Sequence, residues 1–322
     1  MLTAGDVERA LDPDALVDAL ADAFARFSAG AVSMPQRIAV EVPEHGGAVL
    51  LMGAHLEERP SLTTKLVSLF PDNPPGGPPT HQAAILVFDS ATGTPTALMD
   101  GTSVTGLRTA AGSRLATRLL ARPDAGVLAV LGTGVQGAVH VRTLARERTW
   151  AEVRIAGRNS AAAERLAARL HEETDLPVGA AGSLAEAMDG AEVVCAATAA
   201  TDPVVRREWL APGTHVNSVG YTTAGREVDA ATVRDALVVV ESRAAALAES
   251  NDIRWAIRDG VPEDDAVHAE LGELVAGTRD GRTDRDQITL YKSLGVAVED
   301  DAAAALVLTA AERDDLGTVV EL

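Results

Sequence analysis

The chain is predicted to be α/β, with a doubly wound parallel sheet in its second half and an α+β lobe in its first. Three observations lead there. Apolar residues make up 47% of 322, enough for two domains with real cores. From about residue 125 short apolar strands alternate with helical stretches, the pattern of a parallel sheet covered on both faces. Before that point strands follow one another with few helices between them. The domain division read from this is residues 121–299 for the doubly wound part, and residues 1–120 with 300–322 for the other.

In the first part, Asp12 and Pro13 open a helix whose Leu16, Leu20, Phe24 and Phe27 share one face until Gly30 ends it. Strands are expected at 37–42, at 48–52 after the Gly46-Gly47 turn, and at 63–70. The run PDNPPGGPPT, residues 71–80, is too rich in Pro and Gly for regular structure and reads as a surface loop. Segments 83–89 and 95–100 form a hairpin across Gly93, and a long helix follows over 102–120, stopping before Pro123.

The second part begins with a continuous apolar strand at 126–131 that runs into Gly-Thr-Gly and a helix from Val135. Strands at 153–156, 178–181 and 192–197 alternate with helices at 161–171 and 184–188. Further strands are expected at 214–219 and 237–240. Residues 288–309 are apolar and Ala-rich, and are expected to be mostly helical and to pack back on the first domain.

Charge and cysteine usage bound the function. The formal net charge is −19, which argues against nucleic-acid or anionic-membrane partners, since both recruit Lys and Arg. One cysteine, Cys195, excludes an internal disulfide and fits a cytoplasmic setting. The start carries acids where a secretory leader would carry basic and apolar runs. Only two of the 28 basic residues are lysines, Lys65 and Lys292. In a chain that writes its surface charge as Arg, a lysine marks a place where a compact, titratable ammonium has a use.

The strongest motif is Gly132-Thr133-Gly134-Val135-Gln136-Gly137. GxGxxG alone is weak, but here it follows an apolar strand directly and opens a helix. Gly132 permits the tight turn, Gly134 lets the backbone approach a pyrophosphate, and Gly137 lets helix and strand pack closely. Free N–H groups at the helix start suit the phosphates. The chain is therefore read as a Rossmann-type binder of a nicotinamide dinucleotide, and hence as an oxidoreductase. The second strand ends in Arg158-Asn159-Ser160 with no acid to hold a ribose 2′-hydroxyl. That end favours NADP(H), with NAD(H) the alternative. Thr198, closing a later strand, is a further candidate for the cofactor crevice, and Thr109 and Val219 complete that set. The histidines are scattered and Cys195 sits in an apolar strand, so neither a metal nor a covalent nucleophile is expected. Reduction of an imine needs a cationic clamp for a carboxylate and a proton source for nitrogen. Arg37, Lys65 and Arg108 are the candidates.

The stretches MPQRIAVEV, TTKLVSLFPDN, PTHQAAILVFDSATGTPTALMDGTSVTGLRTAA, LGTGVQGAVH, PGTHVNSVG and LYKSLGVAVEDDAAA make the chain similar to the ornithine cyclodeaminase/mu-crystallin family along nearly its whole length. The resemblance implies a homodimer whose first domain binds substrate and makes the dimer contact. It implies that Arg37 and Arg108 hold a substrate carboxylate, that Lys65 is the catalytic lysine, and that Lys292 and Gly295 lie by the nicotinamide. Members that cyclise ornithine carry an aspartate just after the VG of the PGTHVNSVG block. Here Tyr221 or Thr222 takes that place, and a second substrate ammonium would lack a counter-charge. Reduction of a cyclic ketimine such as Δ1-pyrroline-2-carboxylate to an L-amino acid is the reading this favours. An alanine-type dehydrogenase, an ornithine or lysine cyclodeaminase and a non-catalytic crystallin-like NADPH binder are the alternatives. An acid from elsewhere in that space, Glu227 or Asp229, would restore the cyclodeaminase.

Overall fold

The structure, a computed structural model, describes residues 1–74, 76–221 and 225–321. In chain order the first elements are helices α1 (Ala4–Ala10) and α2 (Pro13–Ser28) and strands β1 (Val32–Ser33), β2 (Ile38–Val42), β3 (Gly47–Leu56), β4 (Ser61–Leu69), β5 (His81–Asp89) and β6 (Pro95–Asp100). Helix α3 (Gly101–Leu120) leads to β7 (Val127–Leu131), α4 (Val135–Ala145), β8 (Glu152–Ala156), α5 (Ser160–Thr174), β9 (Val178–Ala180), α6 (Leu184–Met188) and β10 (Val193–Ala196). Then come β11 (His215–Ser218), α7 (Ala230–Asp235), β12 (Leu237–Val240), α8 (Arg243–Glu249), α9 (Asn251–Arg258), β13 (Ala269–Glu270), α10 (Leu271–Val275), β14 (Thr289–Lys292) and α11 (Ala297–Asp314).

The chain folds into two units, Met1–Arg108 with Gly295–Leu322, and Thr109–Leu294. The sequence reading drew the first boundary at 120/121, the end of α3, and the second at 299/300. The units divide inside α3 and ahead of α11.

In the first unit an antiparallel sheet runs β1-β3-β4-β5-β6, with β2 also pairing β3. Helix α2 starts where the Asp12 carboxylate accepts from the N–H groups of Asp14 (3.0 Å) and Ala15 (2.8 Å). Its Leu16, Leu20 and Phe24 are buried. Strand β4 alternates: Thr63 and Lys65 are buried, while Leu62 and Leu66 on the other face are exposed. The buried face packs on α11, where Met52 and Ala54 of β3 meet Ala297.

The second unit is all parallel, in the order β9-β8-β7-β10-β11-β14-β12-β13. Order reverses between β7 and β10, which in a doubly wound sheet marks where ligands bind, beyond the strands' carboxyl ends. Residues 288–309 are helical as expected only from Ala297 onward. Thr289–Lys292 is a strand, buried between β11 and β12. A four-residue apolar strand beside an Ala-rich helix is invisible to periodicity. Helices α1, α7, α8, α9 and α10, none longer than eight residues, were also not read from sequence.

Of the four histidines in the second unit, His140 and His215 are buried. His140 touches Ser113 Oγ (2.9 Å) and the Gln136 carbonyl (2.8 Å), and burial pushes its pKa down to about 4. His215 touches Thr289 Oγ1 (2.9 Å) and Asn217 Oδ1 (3.2 Å). Burial, helped by the Arg282 charge, pushes it down to about 3. Both are neutral in the fold and take a proton near pH ~6.5 once unfolded. Below that pH the unfolded chain binds more protons, so stability falls as pH drops toward 4, by on the order of 1.4 kcal/mol per pH unit for each histidine. Urea midpoints at pH 7 and pH 5 should therefore differ, and His140→Gln should narrow the difference. Equal narrowing to zero slope would not be expected; an unchanged difference in the variant would remove His140 from the account.

Candidate functional site

Gly132, with φ of 127°, follows β7 directly, and a Cβ there would lie 2.4 Å from the Ala197 carbonyl oxygen. A Cβ on Gly137 would lie 2.2 Å from the Gly132 carbonyl oxygen. Both glycines are thus demanded by the protein's own packing. Gly134 is different, because a Cβ there meets nothing within 4 Å. The space over it is open. Val135, the first residue of α4, is 72% exposed, and the buried Oε1 of Gln136 has no hydrogen-bond partner among the described residues. An open glycine, an uncovered valine and an unpaired amide at one helix start fit a dinucleotide pyrophosphate.

At the end of β8, Arg158 is exposed and makes no hydrogen bond or ion pair among the described residues. Asn159 caps α5, its Oδ1 accepting from the Ala162 N–H at 2.9 Å, and Ser160 is the first helical residue. The Asn159 oxygen is therefore engaged by the helix, leaving Arg158 and the exposed helix start for a ribose substituent.

At the ends of β10 and β11 a buried carboxylate gathers the loops. Glu227 accepts from the Thr198 N–H (2.7 Å) and Oγ1 (2.8 Å), from Ser218 Oγ (2.8 Å) and from the Gly220 N–H (2.9 Å). Val219, between them, donates to the Ala196 carbonyl at 2.9 Å. Lys292 is 1% exposed and donates to Ser218 Oγ (3.2 Å) and the Gly220 carbonyl (2.7 Å), with Asp252 at 3.0 Å. An ammonium has three donors, and all of them meet protein acceptors. Lys292 thus braces the loop after β11. Asp252 is bound in turn by the N–H groups of Glu227 and Val228, both at 2.7 Å.

Neither acid that could have stood in for the cyclodeaminase aspartate is free. Glu227 is engaged by four donors, and Asp229 caps α7 while accepting from the Arg207 N–H. Tyr221 lines a pocket with Thr198, Glu227 and Lys292. Thr222, the other candidate for that place, lies outside the described residues.

The first unit holds the second cluster. Lys65, on β4, is 1% exposed, and its Nζ lies 2.7 and 2.8 Å from the two oxygens of Asp300, with Thr105 Oγ1 at 3.4 Å. Arg108, on α3 and also buried, reaches Asp300 through Nε (3.4 Å) and Glu299 through a terminal nitrogen (3.1 Å). Asp301 accepts from Thr63 (2.7 Å) and Arg59 (3.3 Å). Three consecutive buried carboxylates near the start of α11 meet three cations, and Glu299 and Asp300 lie in its first turn, where the helix dipole favours them. Burial pushes Lys65 down to about 8, with the Arg108 charge acting the same way and Asp300 opposing. Burial likewise pushes Asp301 up, against Thr63 and Arg59.

Gly295 has φ of 74°, and a Cβ on it would lie 2.6 Å from the Arg108 guanidinium. It makes room for that arginine within the first unit, a use the sequence did not suggest. Thr109 is buried in α3. Arg37 is half-buried just before β2. The ladder pairs Ile38 with Leu51 and Met52 with Lys65. Continued by one residue, it sets Arg37 in the row of Lys65, two strands or about 10 Å away. Structure thus joins Lys65 and Arg108 through one carboxylate and leaves Arg37 further off. The acids Glu299, Asp300, Asp301, Glu227 and Asp252 were not singled out for these clusters in the sequence. The signal for the first three was there in VEDDAAA: acids at the start of an apolar helix are rarely buried unless paired. Among the described residues no group of His, Cys, Asp or Glu is placed to hold a metal ion, and no helix is long and apolar enough to cross a membrane.

The model of the ornithine cyclodeaminase/mu-crystallin family matches residues 1–315. The chain belongs to that family. Among the relatives, mouse ketimine reductase mu-crystallin is 38% identical over 296 residues, covering 91% of this chain and 90% of that one. Among solved structures, the Δ1-pyrroline-2-carboxylate reductase of Thermococcus litoralis in complex with NADH and L-proline aligns with a TM-score of 0.96 at 36% identity, over 99% of this chain and 100% of that one. An archaeal alanine dehydrogenase dimer with bound NAD aligns at 0.93 and 30% identity, over 100% and 98%. These α/β neighbours share its mixed fold with a parallel sheet.

Proposed function

We propose that this family member is an NAD(P)H-dependent reductase of cyclic ketimines, converting an imino acid such as Δ1-pyrroline-2-carboxylate to its L-amino acid. One observation carries the reading: a buried lysine and a buried arginine share the carboxylate of Asp300 in a chain that also has an open dinucleotide loop. The similarity to a reductase solved with NADH and L-proline supports it.

In this reading Arg108, with Arg37, holds the substrate carboxylate by charge-assisted hydrogen bonds. Lys65, as ammonium, donates to the imine nitrogen and passes it a proton as the double bond is lost. A bound reduced nicotinamide supplies hydride to the imine carbon. One hydride on carbon and one proton on nitrogen give the amine, and Lys65 is reprotonated from solvent. Gly132, Gly134, Val135, Gln136 and Gly137 hold the pyrophosphate, with Thr109, Thr198 and Val219 assigned to the same cofactor. Arg158, with Asn159 and Ser160, favours the 2′-phosphate of NADP(H), while the solved relatives named above hold NADH and NAD. A cytoplasmic, reducing setting suits the single buried thiol of Cys195.

The test is a panel followed by nicotinamide absorbance. Δ1-Pyrroline-2-carboxylate should be reduced with one L-proline formed per cofactor oxidised, more efficiently with NADPH than with NADH. Turnover of pyruvate plus ammonia without turnover of the cyclic imine would make the chain an alanine-type dehydrogenase. Ammonia released from ornithine or lysine with catalytic cofactor would make it a cyclodeaminase.

A homodimer is part of the reading. On the sheet face away from α11, Ile38, Val40, Leu51, Leu62, Leu66 and Leu98 are 37–64% exposed. Pairings such as Ile38 with Leu51, Leu51 with Leu66 and Leu86 with Leu98 put them on one surface. A continuous apolar patch of this kind marks a protein interface, and one archaeal neighbour is a dimer. Leu66→Glu should convert a dimer to monomers in sedimentation velocity; a variant that sediments like wild type would remove this face from the interface.

A further inference from the structure

Asp300 does not belong to the set that the sequence marked, yet it is where the two working cations meet. Lys65 Nζ sits against both of its oxygens, and Arg108 Nε approaches one of them. The neighbouring carboxylates are engaged elsewhere. Glu299 takes the other end of Arg108 and accepts from the Val296 N–H at 2.8 Å, and Asp301 is held by Thr63 and Arg59. The remaining polar group at the lysine is the Thr105 hydroxyl, which carries no charge. Without Asp300, a buried ammonium would lie close to a guanidinium with no direct counter-ion, and shedding the lysine's proton is the cheapest relief.

We infer that Asp300 is a positioning residue that keeps Lys65 protonated and aimed, and so sets the upper pH limit of imine reduction without touching substrate. This rests on the reductase reading for its catalytic consequence, but the charge-setting itself can be read without turnover. The groups around Lys65 act in both directions. Burial and Arg108 drive its pKa down to about 8, while Asp300 and Glu299 oppose them. Reduction uses the ammonium, which is present below that value and is lost as pH rises through it. Oxidation of the amine uses the neutral lysine, which appears above it. Removing the Asp300 charge moves both limbs to lower pH.

The chain's two lysines make this measurable. With lysine labelled at Cε and Nζ, the protein gives two side-chain signals by NMR, and Lys65→Arg identifies one by its disappearance. In wild type the Lys65 signal should titrate near pH 8. In Asp300→Asn its midpoint should fall by at least about one pH unit with the Lys292 signal unmoved, and Asp300→Glu should restore it. The basic limb of kcat should move with the midpoint while KM at low pH stays put. If Asp300→Asn does not fold, the labelled Asp300 carboxyl carbon in wild type should report the same midpoint near pH 8. An unchanged Lys65 midpoint in Asp300→Asn, or an Asp300 carbon blind to it, overturns the inference. A shifted midpoint in a protein that reduces no imine upholds the charge-setting and rejects the reductase reading instead.

Discussion

Lys65→Ala is expected to cut imine turnover by about 10²- to 10⁴-fold, the contribution of a positioned general acid, while NADPH still quenches or shifts protein fluorescence as in wild type. The separation follows from where each group sits. Lys65 belongs to the first unit, and the glycine loop to the second, so removing one should not disturb the other. The substitution also leaves Asp300 with Arg108 alone, and breaking a buried pair costs about 3–5 kcal/mol. Thermal melts must therefore accompany the kinetics. Lys65→Arg answers the objection that a loss of activity is only a loss of fold. It keeps a cation beside Asp300, yet guanidinium does not release a proton in this pH range. Activity retained in Lys65→Arg would reduce the lysine to a charged anchor, and activity retained in Lys65→Ala would remove it from the mechanism.

The glycine loop yields the second large effect, and its two members should fail differently. In Gly137→Ala the added methyl would sit 2.2 Å from the Gly132 carbonyl oxygen. That oxygen is backbone and cannot swing aside, so α4 must lift from β7. Overpacking of this sort costs about 1–3 kcal/mol, and the loop loses the shape that receives a pyrophosphate. Both the melting temperature and cofactor affinity should fall. In Gly134→Ala the methyl meets no protein atom within 4 Å. Its melting temperature should match wild type while the cofactor Kd rises by about 10-fold or more, each factor of ten being ~1.4 kcal/mol. Isothermal titration with NADPH and NADH checks both. A Gly134→Ala protein that binds as well as wild type would mean that the open space above this glycine is not where the phosphates lie.

Much of the fold was legible because local chemistry and global packing agree. Asp12 and Pro13 announce α2, and the run from Val127 to Leu131 into Gly132 can hardly be anything but a buried strand and a turn. Strand β14 was not legible. Thr289 to Lys292 is four residues long and carries a lysine at its end. Only its burial between β11 and β12 makes it a strand, and burial is a property of neighbours far away in sequence. The candidate site divides the same way. Lys65 stood out through the scarcity of lysine, and Arg108 through the family resemblance. Asp300 did not, because an isolated EDD reads as solvated charge until the cations that bury it are known. Lys292 and Gly295 were assigned to the cofactor on resemblance. Geometry turns the first toward Asp252 and Ser218, and the second toward Arg108. A sequence names which residues are unusual, but the hydrogen-bond partners decide what each is occupied with.

The placement of α11 has a consequence for how this protein is made. The carboxylates that neutralise Lys65 and Arg108 are Glu299 and Asp300, almost 200 residues downstream of Arg108. A nascent chain leaving the ribosome therefore has its first antiparallel sheet long before it has the helix that covers it. The sheet waits with one face uncovered and two cations unmatched. Vectorial synthesis normally lets the leading domain fold first. Here the outer unit is sealed only by its last helix, and the inserted unit, whose β14 lies between β11 and β12, gains its last strand only just before that helix emerges.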